Sequence, residues 1–214
     1  MKSISVRKLV QKKFRTYEFT DVWKDSFGTP EINAQWIVYG ESGNGKTEFC
    51  VQLAHYYCNF GKVAYISLEQ GISSSLQSPF TRYDFKSQPF ICKIFEKNTK
   101  TETNVYEQIK AFVAKTTYKT IIIDSLNYLK VTPSEYIELS ELAKKRKRTL
   151  INVAWGKGSH PSTSAGEQIE FMVDIKLQVK KYAIPEPKSR YGGNMPYIIW
   201  EDKAKEYHYF INQK

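Results

Sequence analysis

The sequence predicts an α/β fold: a mostly parallel central sheet flanked by helices, with antiparallel strands towards its C-terminal end. Three observations carry this. From residue 34 onward, short apolar segments alternate with segments whose apolar residues recur at helical spacing, and such alternation builds a parallel sheet covered on both faces. A glycine-rich stretch, GESGNGKT, joins the first apolar segment to the first helical one. At the end, VDIKLQVKK, PYIIWE and EYHYFIN follow one another with strand-like composition, the last two reading as a hairpin.

Taken in order, residues 1–33 form a basic N-terminal arm with scattered apolar positions (Val10, Phe14, Tyr17, Phe19, Val22, Trp23, Phe27). The arm is expected to pack on the domain or on a neighbouring subunit, and FGTPE within it reads as a turn. The core domain is expected over 34–214. AQWIVYG is a strand ending in glycine. In GKTEFCVQLAHYYCNFG, Phe49, Leu53, Ala54 and Tyr57 share one helical face, with Gly61 placed as a C-terminal cap. KVAYISLE is a second strand and FICKIFE a weaker third. TNVYEQIKAFVAKTT carries Val105, Ile109, Phe112 and Val113 on one helical stripe, and KTIIIDS is a buried strand. In TPSEYIELSELAKKRKR, Thr132 caps, Pro133 suits the first helical position and Glu135 completes a capping box. TLINVAW is a further strand.

The 214 residues, 41% of them hydrophobic, suffice for one domain with one core. No apolar run approaches the ~20 residues that cross a bilayer. The basic start MKSISVRKLVQKKFRTYEF has no apolar stretch of the signal-peptide kind, so a cytoplasmic protein without a membrane partner is expected. Cys50, Cys58 and Cys92 have neither the number nor the spacing of a disulfide framework or a zinc site. The formal charge of +10 speaks about partners rather than fold, and nucleic acid is the commonest acidic one.

Gly40, Gly45, Lys46 and Thr47 meet the pattern G-x-x-x-x-G-K-S/T between a strand and a helix, the context a phosphate-binding loop requires. Glycines let successive backbone N–H groups point at phosphate oxygens, and the helix N-terminus adds a favourable dipole. The loop Gly40, Glu41, Ser42, Gly43, Asn44, Gly45, Lys46, Thr47 and Glu48 is therefore the expected ATP site. Lys46 would serve the β- and γ-phosphates, and Thr47 would ligate Mg2+. Asp124 ends a very apolar strand, so its carboxylate emerges beside the loop as the second magnesium anchor, the Walker B position. Glu69, at the end of the strand after the loop's helix, opens on the same crevice and is the candidate general base for the attacking water.

GESGNGKTEF, KVAYISLEQG and TIIIDS together resemble the core of RecA-like ATPases, in particular the bacterial RadA-type recombination ATPases and DnaB-type replicative helicases. SAGEQIEFMVDIKLQV is similar to a RadA segment in which a glycine-led helix passes through Val-Asp into a strand. KSRYGG, from Lys188 to Gly193, resembles the K-x-R-x-G element of both families. The resemblance covers about residues 34–211. It implies a RecA-like P-loop NTPase fold and an oligomer, a ring or filament such as a hexamer, in which Lys188 and Arg190 reach a neighbour's γ-phosphate. A basic turn before a strand is the plain alternative for KSRYGG. Trp155 stands where these families usually carry Gln or His as a γ-phosphate sensor. A minimal core without the extra domains of RadA or DnaB is expected, resembling the stand-alone cores of phages and mobile elements.

The resemblance implies that the loops after Asp124 and after the next strand bind DNA, a flexible surface loop being the plain alternative. Here they are SLNYLKVT and GKGSHPSTSAGE, whose Lys130, Lys157 and His160 are the nucleic-acid candidates. The second loop is expected to be mobile. The run Lys144 to Arg148 sits at a helix end, where the dipole favours cations, and reads as solvated. The expected function is an ATP-hydrolysing, single-stranded-DNA-binding ATPase of recombination or replication, with a replication or recombination protein as a further partner. A DnaB-type helicase motor, a nucleotide-switched adaptor with little hydrolysis, and a P-loop phosphotransferase are the rivals.

Overall fold

The computed structural model describes residues 3–206. Two short helices come first, α1 (Val6–Gln11) and α2 (Asp21–Phe27), followed by β1 (Gln35–Gly40) and α3 (Lys46–Tyr57). Then come β2 (Val63–Ser67), α4 (Ser74–Phe80), β3 (Cys92–Phe95), α5 (Val105–Lys115), β4 (Thr120–Asp124), α6 (Leu126–Leu129) and α7 (Pro133–Lys145). The remainder is β5 (Thr149–Lys157), β6 (His160–Pro161), α8 (Ser164–Met172), β7 (Ile175–Gln178), β8 (Ala183–Ile184), β9 (Lys188–Ser189), β10 (Tyr197–Ile198) and α9 (Glu201–Glu206).

The main sheet runs β3-β2-β4-β5-β1-β7-β9. Its pairings are parallel up to β7, and β9 lies antiparallel on β7. The expected α/β class with a mostly parallel sheet is therefore observed. Strand residues alternate between two apolar cores, as the two-residue period of a strand demands. Trp36, Val38, Ile122, Ile151 and Val153 face the side of α3. Ile37, Tyr39, Ile121, Ile123, Leu150 and Ala154 face the side of α5, α7 and α8. The capping box at α7 forms as expected, with Thr132 and Glu135 each accepting from the other's backbone.

The N-terminal segment divides in two. Tyr17, Phe19 and Phe27 are buried in the α3-side core, their rings in edge and tilted contacts with Tyr57, Tyr56 and Trp36. By contrast, α1 has no buried residue.

Several local expectations are corrected. VDIKLQVKK does not begin an antiparallel extension, because β7 inserts parallel beside β1. PYIIWE contributes only β10, which pairs with β8 in a separate two-stranded sheet, and the chain then turns helical in α9, where Glu201, Asp202, Lys203, Lys205 and Glu206 favour a solvated helix. The rest of the expected hairpin, 207–212, lies outside the described residues. GKGSHP is not an open loop: β5 continues to Lys157 and folds back through β6. Gly61 is no left-handed cap. The helix ends at Tyr57, and Gly61 instead admits the Lys119 side chain, which an added Cβ would meet at 2.9 Å. Arg148 is not a solvated helix end. It is buried, and its guanidinium donates to the carbonyls of Val113 and Tyr118 at 2.9 and 3.0 Å and to that of Thr116, closing the C-terminal end of α5.

Candidate nucleotide site

The sheet brings the candidate acids to one edge. Ser67 pairs with Asp124 in register, Asp124 with Val153, and Gly40 with Trp155. The carboxyl ends of β1, β2, β4 and β5 thus open on one crevice, where ligands bind in such sheets. A cavity of about 480 Å³ lies there, lined by Ser42, Gly43, Gly45, Lys46, Thr47 and Glu48 of the loop, and by Glu69, Asp124 and Trp155. Gly40, Glu41 and Asn44 line a second cleft with Gly158 and Lys180 on the loop's other side. Gly45 holds φ at +98°, and the Tyr182 ring would lie 2.7 Å from a Cβ there; both the backbone and the space require glycine.

Lys46 Nζ donates to the carbonyls of Gly40 and Glu41 at 2.8 and 2.9 Å, so its charge is held over the loop. Burial lowers its pKa, and the charges of Asp124 and Glu69 act in the opposite direction. Tyr65, on β2, donates to Asp124 Oδ2 at 2.6 Å. It is a buried partner that sequence reasoning missed, since only the β2–β4 register reveals it. The Asp124 carbonyl accepts from the amides of Leu68 and Glu69 at 2.6 and 3.2 Å, which pins the Glu69 backbone to β4. The Glu69 side chain accepts at Oε2 from Trp155 Nε1 at 3.0 Å and from Ser125 Oγ at 3.3 Å. Glu48 does not face the loop's centre as a free acid. Its carboxylate is taken by Arg82 at 2.7 Å and by the Tyr83 hydroxyl at 2.7 Å.

Burial pushes the Asp124 carboxyl up to about 6; the Tyr65 hydrogen bond and the Lys46 charge oppose the rise and the Glu69 charge adds to it. A carboxyl whose folded pKa lies above its unfolded one, about 3.9, favours the folded state when protonated. That stability is fully present below the unfolded value and is lost as pH rises through about 6. Asp124→Asn is therefore expected to melt higher than the parent in nucleotide-free protein above pH 6, the gap vanishing near pH 4. Thermal melts across pH check this, and a variant that melts lower than its parent at pH 7.5 would show that burial of the charge is not the dominant effect.

The other candidates lie elsewhere. Lys188 and Arg190 line a separate small cleft with Asp174 and Lys176, and Arg190 pairs with Asp174 at 3.4 Å. Asp174 Oδ2 accepts from the Gln35 amide at 2.9 Å, so this pair sits at the start of β1, roughly 17 Å along the strand from Gly40. Lys157 and His160 face each other across the β5–β6 turn, both exposed, and His160 Nδ1 lies 3.2 Å from the buried Glu170. Lys130 ends α6 in a left-handed conformation. Asn127 of the first candidate loop accepts from the Trp155 amide of β5 at 2.8 Å and donates through Nδ2 to Ser162 Oγ of the second loop at 3.5 Å.

A family model described as AAA domain matches residues 32–174. The chain belongs to that AAA domain family. The match spans the loop, Glu69, Asp124 and Trp155, and stops before Lys188 and Arg190. Among solved structures, the flagellar accessory protein FlaH from Methanocaldococcus jannaschii is similar at a TM-score of 0.56 with 16% identity, over 78% of this chain and 80% of that one. At that identity the likeness is one of fold. No curated protein sequence matches. The AAA-type chain is thus a P-loop ATPase domain with RecA-like architecture.

Among the described residues no group of three or more His, Cys, Asp and Glu could hold a metal alone. Magnesium on a nucleotide needs only one or two protein oxygens beside the phosphates, and a Thr hydroxyl with one carboxylate fits that demand. No helix among the described residues is long and apolar enough to cross a membrane.

Proposed function

We propose that the protein is a magnesium-dependent, oligomeric ATPase that works on single-stranded DNA in recombination or replication. Lys46 and the loop amides hold the β- and γ-phosphates, Thr47 and Asp124 hold the metal, and Glu69 orients and deprotonates the attacking water. Magnesium, when bound, neutralises charge on the β- and γ-oxygens. The observation that carries the oligomer is the separation of Arg190 and Lys188 from their own loop, at the other end of β1. A cation placed there serves a γ-phosphate only in a neighbouring copy. DNA would lie along Lys130, Lys157 and His160, mainly through phosphates, and binding would weaken with salt.

A second reading is favoured by one contact. The Trp155 indole holds the oxygen of Glu69 at 3.0 Å, at the position where a polar sensor is usual. A base held this way suits a nucleotide-switched adaptor with slow turnover. ATP turnover with and without single-stranded DNA, over a range of protein concentrations, separates the two. Turnover that DNA stimulates and that rises more than linearly with protein is expected for the motor. Tight ATP binding with turnover no higher than that of Lys46→Ala would sink it and leave the adaptor.

A further inference from the structure

Cys58 and Cys92, far apart in the sequence, meet in the fold. Cys58 follows the last turn of α3 as its C-terminal cap and is fully buried in the α3-side core. Cys92 opens β3, beside Val63 in the parallel β2–β3 register. The chain reaches it across the end of α3. The Phe90 amide donates to the Cys58 carbonyl at 3.1 Å, and the Val63 amide to the Ile91 carbonyl at 3.0 Å. Cys92 packs on the core that holds Cys58, yet it is only partly buried. It lines a groove of about 990 Å³ with Leu76, Phe80, Phe85 and Ile94. The two thiols are free and hydrogen-bond to each other. The third cysteine, Cys50, is fully buried and lies about 12 Å back along the helix from Cys58, out of reach of both.

We infer that Cys92 and Cys58 form an oxidation site for a small peroxide, in which Cys92 is attacked from the groove and Cys58 resolves it to a disulfide. The hydrogen bond between the sulfurs supports this. Donation from one thiol stabilises a thiolate on the other, so the first proton leaves the pair more readily than it leaves a lone thiol. Cys58 is lowered and Cys92 raised by that bond. The charge is shared across the bond, and Cys92 is the member that the groove exposes. Its sulfur attacks one peroxide oxygen. The S–O bond forms, the O–O bond breaks, and the departing hydroxide takes the Cys92 proton and leaves as water. The Cys58 sulfur then attacks the sulfenic sulfur. The S–S bond forms, and the hydroxyl leaves with the Cys58 proton as a second water. Two electrons pass from the two thiols to one peroxide. The outermost strand β3, hydrogen-bonded to β2 alone, is thereby fastened to the helix that begins at Lys46. Neither thiol lines the loop's cavity, so the site works whether or not a nucleotide is bound.

The test treats the reduced full chain with hydrogen peroxide, alkylates the remaining thiols after denaturation, and maps the peptides by mass. One intramolecular link between Cys58 and Cys92 is expected, with Cys50 alkylated and the link reversed by dithiothreitol. In Cys58→Ser the sulfenic acid at Cys92 should persist and be trapped by dimedone. In Cys92→Ser, Cys58 should stay reduced. The oxidised parent should melt about 5–15 °C above the reduced one, as a disulfide that fits the native geometry does in a chain of this size. The inference is overturned if the parent's thiols alkylate after peroxide as they do before it. It is overturned equally by a link that involves Cys50 or a second chain, or by Cys92 oxidised beyond the sulfenic acid with no link. An oxidised parent that melts lower than the reduced one would show that the two sulfurs are not positioned for the bond. The parent's own peptide map decides the matter even if a serine variant fails to fold.

Discussion

Arg190→Ala is expected to lower ATP turnover by about 10³- to 10⁵-fold, the worth of an arginine finger, while leaving ATP affinity near that of the parent. That split is what a cation acting on a neighbouring copy would give. Arg190 is 62% exposed at its side chain and lies with Asp174, away from the cavity that holds Lys46 and Asp124. Removing it takes nothing from the chain's own loop. Asp174 is only 12% exposed at its side chain and keeps its hydrogen bond from the Gln35 amide in the variant, so a thermal melt of Arg190→Ala beside its turnover separates lost activity from lost structure. Mixing decides the matter. Arg190→Ala retains an intact loop, and Lys46→Ala retains an intact finger, so a mixed oligomer contains interfaces with both. Equimolar mixing of the two inactive variants should restore part of the turnover. No recovery on mixing, or an Arg190→Ala variant as active as its parent, would reduce KSRYGG to a basic turn.

Glu69→Gln should lower turnover by about 10²- to 10⁴-fold, the usual contribution of a general base, again with ATP still bound. The substitution is nearly isosteric. The glutamine amide oxygen can still accept from Trp155 Nε1 and Ser125 Oγ, the two donors on Glu69 Oε2, and the Glu69 backbone remains pinned to the Asp124 carbonyl. The substitution removes the ability to take a proton, together with the negative charge that acts on Lys46 and Asp124. Single-turnover hydrolysis beside equilibrium ATP binding reads the two effects apart. If turnover in Glu69→Gln equals that of the parent, water is activated elsewhere, or the parent hardly hydrolyses ATP and the adaptor reading gains. A drop in binding as large as the drop in turnover would mean that Glu69 shapes the cavity instead.

How much of this was legible in the sequence depends on the range of the interaction. Strand and helix periodicity, the Thr132–Glu135 box and the GESGNGKT loop are local, written in residues a few positions apart, and they placed the parallel sheet with Lys46, Thr47, Glu69 and Asp124 along one edge. Where local composition was ambiguous the reading went astray: PYIIWE and EYHYFIN look like strands, yet Glu201–Glu206 is helical, and GKGSHP looks like a loop, yet it pairs. The helix Ser74–Phe80 was not anticipated, because it is short and carries Pro79 inside it.

What the sequence by itself determined is the chemistry at the loop, because a phosphate cradle is a contiguous backbone motif and needs nothing from the rest of the chain to be recognised. Tertiary structure alone decided the partners of that chemistry. Tyr65 reaches Asp124 across 59 residues and Trp155 reaches Glu69 across 86. Arg82 meets Trp200 over the far end of the cavity, Arg148 turns inward to close a helix, and Arg190 is carried away from its own loop. Each of these depends on strand register and on which side of the sheet a segment returns. Those follow from how all the apolar faces are buried together, not from any one stretch of residues.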